Sequence, residues 1–282
     1  MRGKKAKQLR VDRTAEREAL RRKQRQQTLF TIIVIAIIVG IGGVLVAVTI
    51  NQENDLAANP SELPTPGASD AASEDTSEAP DDRAVACGGE APANAGEPKP
   101  TFEEPEQVVT DGTDYRAVIT TSCGKITVDL FEEEAPKTVN SFVFLAEQGF
   151  FDGLEIFRNA TSIGALQTGS GTNDAAYDVG YTIEDELAKA EADGYPAGVL
   201  AMANAGANTA GSQFFFVYND LFDEAFAENR AYSVFGSADQ AGKKVLAKIG
   251  AIPVVSPDGS DPTGAEKPTQ ITYIESIKIT TK

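Results

Sequence analysis

The sequence predicts a mainly β domain of about 170 residues carrying two helices, preceded by a membrane-spanning helix and an unstructured tether. Three observations lead there. An apolar run without charge occupies residues 28–50, a Pro- and acid-rich stretch follows it, and strand-like alternation starts at Tyr115 and returns before the C-terminus.

Charge divides the chain. Residues 1–27 hold eleven Lys or Arg against three Asp or Glu, in a chain whose net charge is −17. A basic leader beside an apolar run reads as a topology signal drawn to anionic headgroups. It lacks the interleaved aromatics that base stacking uses, so no nucleic-acid partner is expected.

The run TLFTIIVIAIIVGIGGVLVAVTI contains no charged residue in 23 positions. As a helix it spans roughly 35 Å, enough to cross a hydrocarbon core of about 30 Å with some tilt. A cleaved secretory leader is the alternative, but the run exceeds the usual apolar core of such leaders and no clean Ala-x-Ala site follows. The expectation is a single-pass anchor in the cytoplasmic membrane, with residues 1–27 in the cytoplasm and everything after Ile50 outside.

Residues 51–110 read as an acidic linker. Between Asn51 and Pro100 lie seven of the fourteen prolines, eleven acidic residues and no aromatic residue. Such a composition buries too little apolar surface to offset chain entropy. Cys87 and Cys123 are the only cysteines and both fall on the expected outer side, where disulfides persist. They are a candidate pair, with two free thiols as the alternative.

From residue 111 to 282 the text becomes patterned. RAVITTS and KITVDLF flank a turn at Cys123-Gly124, and Ile126, Val128 and Leu130 alternate, which predicts a β-hairpin. APKTVNSFVFLAEQG predicts a helix, with Pro136 in its first turn, apolar positions 139, 142, 143 and 146, and Gly149 as a stop. AGKKVLAKIGAI has helical spacing, and QITYIESIKIT alternates with Ile271, Tyr273, Ile277 and Ile279 on one face. Closing the strands into a barrel removes exposed edges.

One segment departs from ordinary strand composition. GVLAMANAGANTAGSQFFFVY runs small and amide residues into three phenylalanines, as if something must approach the backbone closely. Strand neighbours point to opposite faces, so at least one of Phe214, Phe215 and Phe216 belongs to the core.

This segment closely resembles the signature of the cyclophilin family of peptidyl-prolyl cis/trans isomerases. So do KITVDLFEEEAPKTVNSFVFLAEQGFFDGL, YTIEDE and YSVFGSADQAGKKVLAKI, in the expected order. The resemblance covers Tyr115 to about Lys282. It implies a cyclophilin-like eight-stranded antiparallel barrel capped by two α-helices. In the family a Phe-His-Arg element follows the helix and its arginine is catalytic; here Arg158 takes that place and Phe157 replaces the histidine. Gln167 matches a family glutamine. Ala203, Asn204, Ala205, Gln213 and Phe215 fall on peptide-binding positions, and Tyr232 stands where some relatives carry histidine. Leu221, Phe222 or Phe226 is expected to complete the pocket wall.

The chemistry implied suits a chain without histidine. Rotating an X-Pro bond breaks amide resonance against a barrier of about 20 kcal/mol and makes no covalent bond. No nucleophile, metal, cofactor or proton shuttle is required. Hydrolase triads lack their base here, and the acidic runs Glu132-Glu133-Glu134 and Glu184-Asp185-Glu186 read as solvated faces rather than cation sites.

The family pattern frays at the pocket. A usual apolar pair before the glutamine appears as Gly164-Ala165, the Gly-Gly-Asp after it becomes Thr168-Gly169-Ser170, and there is no tryptophan at all. Reduced isomerase activity and poor cyclosporin binding are therefore expected. The function read from the sequence is a monomeric isomerase for X-Pro segments of exported polypeptides. A non-catalytic proline-peptide-binding or scaffold module on the same fold is the alternative.

Overall fold

Alternating apolar residues in Tyr115–Thr121 (β1) and Gly124–Leu130 (β2) leave one face of each strand to be buried, and the two form the predicted hairpin with Ala117 opposite Val128 and Ile119 opposite Ile126. The structure, a computed structural model, describes residues 81–255 and 266–281. The basic leader, the apolar run 28–50 and linker residues 51–80 lie outside the described residues. Among those described, no helix is long and apolar enough to cross a membrane.

The remaining strands are β3 (Arg158–Ala160), β4 (Ala165–Thr168), β5 (Val199–Met202), β6 (Phe214–Val217), β7 (Val234–Ala238), β8 (Val254–Val255), β9 (Lys267–Pro268) and β10 (Ile274–Thr281). Eight of the ten strands make one antiparallel sheet in the order β10-β1-β2-β7-β5-β6-β4-β3, and β8 pairs with β9 separately. The sheet curls into a half-barrel. The closed ladder expected from the sequence is not formed, because β3 and β10 are both sheet ends. Single backbone bonds cross the seam instead: Gly153 N to Ile274 O at 2.7 Å, Ile274 N to Leu154 O at 2.8 Å and Ile156 N to Thr272 O at 2.8 Å.

An irregularity in β10 accounts for a second difference. Thr120 faces Ser276 but Thr121 faces Ile274, so one residue of β10 is unmatched and the alternation slips. Ile274 is thereby fully buried beside Tyr273, whereas Ile279 is only half-buried.

Four α-helices occur among the described residues, two more than the periodicity predicts. Pro136–Glu147 (α1) and Gln240–Gly250 (α4) are the predicted pair; Ala188–Asp193 (α2) and Leu221–Ala225 (α3) are too short to show a period. The orphan amides of α1 are met by Glu186, whose carboxylate accepts from Lys137 N at 3.1 Å and from Thr138 N at 2.9 Å. An acidic run expected to be a solvated face thus holds one helix cap. Helix α4 is capped by Asp239, which accepts from Gly242 N at 2.6 Å.

The core is centred on Phe142 of α1, whose ring meets Phe151, Phe214 and Phe235 at 5.1–5.5 Å. Burying each such ring stabilises the fold by roughly 1.5–3 kcal/mol.

Residues 81–110, assigned by composition to the tether, lie along the domain. Val85 bridges Ile271, with Ala86 N donating to Ile271 O at 2.7 Å. Arg83 binds Pro268 O at 2.8 Å and Glu155 at 2.7 Å, spanning the seam. Phe102 packs edge-on against Phe144 at 5.1 Å, and Asn140 Oδ1 accepts from Val108 N and Val109 N. Gly180, at φ +100°, lets the arm pass, since a Cβ there would lie 2.3 Å from Phe102 O. A few anchors and backbone bonds suffice for this, and averaging composition over fifty residues hides them. Cys87 and Cys123 are joined as a disulfide, which fixes the arm to the β1–β2 turn.

Candidate active site

Strand register builds the site. Arg158 lies opposite Gln167, Gln167 opposite Phe215, and Phe215 opposite Ala201. Directly paired residues of an antiparallel sheet share a face, so the Arg158, Gln167 and Phe215 side chains emerge together. Phe214 and Phe216 point the other way into the core, where both are fully buried.

A polar row runs along that face from β3 through β4 to Gln213, the residue just before β6. Arg158 Nη1 donates to Gln167 Oε1 at 3.2 Å, and Gln167 Nε2 donates to Gln213 Oε1 at 2.9 Å. Gln213 Nε2 is held by Ala175 O at 3.2 Å. The other edge of the guanidinium meets Glu266, with Nε 3.1 Å and Nη2 3.0 Å from Oε2. Arg158 retains 18 % side-chain exposure, and its five N–H groups outnumber the contacts that Glu266 and Gln167 take up.

Beside the row stands an aromatic wall. Phe215 packs on Phe222 at 4.7 Å and edge-on to Tyr232 at 5.3 Å, and Phe226 stacks on Phe222 at 4.5 Å. Burial pushes the Tyr232 phenol up from its ordinary value, and the nearby Arg158 charge opposes that rise. Tyr195, fully buried, supports the wall from behind. Its hydroxyl accepts from Tyr232 N at 3.0 Å and lies 3.3 Å from Tyr232 O, while its own N donates to Asp223 at 2.8 Å.

The small-residue stretch borders the same face. Ala203 N donates to Gln213 O at 2.9 Å, and Asn204 Nδ2 donates to Ala231 O at 2.8 Å, next to Tyr232. Ala203 and Asn204 are half-buried and Ala205 is exposed, with Ala205 N bound to Thr209 Oγ1. An extended peptide laid here meets amide groups and backbone without added charge. The surface thus combines a fixed cation, an apolar wall and a neutral polar clasp.

The family model described as cyclophilin type peptidyl-prolyl cis-trans isomerase matches residues 116–279. The chain belongs to the cyclophilin family. It is 38 % identical over 155 residues to a Mycobacterium tuberculosis protein named probable peptidyl-prolyl cis-trans isomerase B, a match covering 51 % of this chain and 49 % of the relative. The chain therefore spans about half the length of that relative. A Helicobacter pylori peptidyl-prolyl cis-trans isomerase is 35 % identical over 156 residues, covering 54 % of this chain and 90 % of the relative. The crystal structure of a Cryptosporidium parvum cyclophilin type peptidyl-prolyl cis-trans isomerase overlays with a TM-score of 0.50 at 25 % identity, over 60 % of this chain and 99 % of that one.

Within this cyclophilin domain most of the expected site residues come together. Arg158, Gln167, Gln213, Phe215, Phe222, Tyr232 and the Ala203–Asn204 backbone form one surface. Phe157 is buried next to Arg158, but among the described residues it is not part of the ring contacts that make the wall. Of the three candidates for completing that wall, Phe222 and Phe226 contribute, whereas Leu221 is 43 % exposed.

Glu266, Tyr195 and Asn219 went unread in the sequence. Glu266 lies 108 positions from Arg158 and meets it only through the fold. Asn219 explains Gly164: at φ +71° a Cβ there would fall 1.8 Å from Asn219 Oδ1. The space that a side chain at 164 would enter is taken by the Asn219 amide.

Proposed function

We propose that this cyclophilin catalyses cis/trans isomerisation of X-Pro bonds, with Arg158 stabilising the twisted amide. Twisting returns a lone pair to the prolyl nitrogen, making it a hydrogen-bond acceptor that it is not in the planar amide. A guanidinium beside it therefore favours the transition state over the ground state. Phe215 and Tyr232 receive the proline ring, while Gln213 and the Ala203–Asn204 backbone hold the flanking chain, so that one amide twists against fixed neighbours. The observation that carries this reading is the shared face of Arg158, Gln167 and Phe215 set by strand register.

Gly164 and Ala165 supply little apolar surface. Losing ~100 Å² of contact weakens ring binding by about 2 kcal/mol, felt alike in ground and transition states, so KM is raised more than kcat falls. The substrates are X-Pro segments of exported polypeptides, met as a monomer outside the cytoplasmic membrane, with residues 28–50 as anchor. Support for that placement is the uncharged apolar run and its basic flank.

The test is exchange spectroscopy on a proline peptide with the full chain in detergent. Acceleration over solvent is expected. Binding of the peptide without acceleration would favour the non-catalytic module. For topology, protease added to spheroplasts should release the domain, and full protection would reject the outward orientation.

A further inference from the structure

Glu266 is built into the site without belonging to the peptide clasp. Its Oε2 takes Arg158 Nε at 3.1 Å and sits 3.0 Å from Nη2, while Oε1 accepts from Ser162 Oγ at 3.4 Å. Its side chain is only 10 % exposed. The backbone is also constrained: Glu266 has φ +29°, one of four positive values among described non-glycine residues, and its carbonyl accepts from Asn159 N at 2.8 Å. Strain of this kind persists only where surroundings over-determine it.

Those surroundings are the seam and the arm. Lys267 pairs with Asp81, Pro268 O accepts from Arg83, and Ile271 pairs with the backbone on either side of Val85. Arg83 also binds Glu155, three residues before Arg158. The arm thus grips both chains that carry the ion pair.

We propose that Glu266 is a positioning residue for isomerisation, fixing the Arg158 guanidinium so that its remaining N–H groups face the prolyl nitrogen. The inference rests on the catalytic reading of Arg158. A guanidinium on a flexible stem loses effectiveness when free to swing, and Gln167 alone anchors just one of its nitrogens. Glu266 and Gln167 together hold opposite edges of the planar fork, which removes rotation about the last bonds of the side chain. The carboxylate also offsets some positive charge at the site, so orientation here outweighs raw field strength.

The experiment compares Glu266→Ala, Glu266→Gln and Glu266→Asp in the full chain, measuring kcat and KM separately on a proline peptide alongside the unfolding temperature. Misplacing a catalytic group by an ångström costs up to ~100-fold, so Glu266→Ala should lower kcat about 10-fold with KM within about 2-fold. Glu266→Gln keeps an acceptor and Glu266→Asp keeps the charge, and each should recover part of the loss. In an Arg158→Ala background, Glu266→Ala should have no further effect on kcat. An unchanged kcat in Glu266→Ala, a change confined to KM, or an equal loss in the Arg158→Ala background would overturn the inference. If Arg158→Ala abolishes catalysis while Glu266→Ala is normal, only the Glu266 inference fails. Full activity in Arg158→Ala would instead remove the catalytic reading itself.

Discussion

Arg158 and Gln167 face each other across β3 and β4 with Nη1 3.2 Å from Oε1, and Gln167 passes the contact on to Gln213 at 2.9 Å. The row runs from a cation at one end to backbone carbonyls at the other. Its chemistry is that of a fixed donor array, which gains catalytic value only where charge or lone pairs develop.

Replacing Arg158 by Ala should therefore lower kcat/KM about 100-fold, the scale of losing one transition-state donor. It also strands the Glu266 carboxylate, so a fall in unfolding temperature is expected with it. Arg158→Lys separates the two effects: it keeps a charge opposite Glu266 and should spare stability, but it loses the planar fork and should remain well below wild-type activity. A lysine variant with full kcat/KM would show that charge alone suffices.

Phe222 is 2 % exposed and lies between Phe215 and Phe226. Phe222→Ala should destabilise the domain by about 3–5 kcal/mol, as a cavity behind the wall. Phe222→Leu should cost far less and raise KM modestly. Urea midpoints of the two variants test this, and equal midpoints for wild type and Phe222→Ala would mean that the wall is not packed as described.

Alkaline pH should loosen the wall through Tyr195. Burial pushes its phenol from 10.0 up to about 12. The folded chain holds this proton more tightly than the unfolded chain, so the stabilisation is complete below pH 10 and is lost as pH rises from 10 through about 12. Tyr195→Phe should flatten, though not abolish, the fall in unfolding temperature over that window, because burial raises other tyrosines too. An identical slope in the variant counts against the assignment.

The Cys87–Cys123 bridge closes a loop of 36 residues. In the chain-entropy account it contributes about 4 kcal/mol. Reductant, or Cys87→Ser with Cys123→Ser, should lower the urea midpoint accordingly, and an unmoved midpoint would place the bridge outside the stability of the fold.

The hairpin and both long helices were legible because each rests on local periodicity, and strand alternation required at least one of Phe214 to Phe216 in the core, though which of them face inward had to come from the fold. The candidate site residues from Ala203 to Phe215 were legible by another route, the resemblance of their segment to the cyclophilin signature. Glu266 was not, since nothing in GAEKPT marks a partner for an arginine on another strand. The arm was misread for a related cause: its anchors, Arg83, Ala86 and Phe102, are sparse, and each acts on a distant segment. The half-barrel was not legible either, since alternation shows which face of a strand is buried and not whether β3 and β10 pair, and the slipped face of β10 comes from an unmatched residue that no alternation pattern announces.

The arm's attachment also defines a load path. A pull applied ahead of Asp81 reaches the Arg83 contacts and the Val85–Ile271 bridge first, then crosses the sulfur–sulfur bond into the β1–β2 turn. Residues between Cys87 and Cys123 bear no tension while that bond is intact. In a stretching experiment the reduced chain should pay out about 120 Å more length than the oxidised one, at roughly 3.5 Å per residue. The first contacts to yield would be those that grip Glu155 and the Lys267–Ile271 segment, so tension applied ahead of Asp81 would be felt beside Arg158 before the rest of the sheet is disturbed.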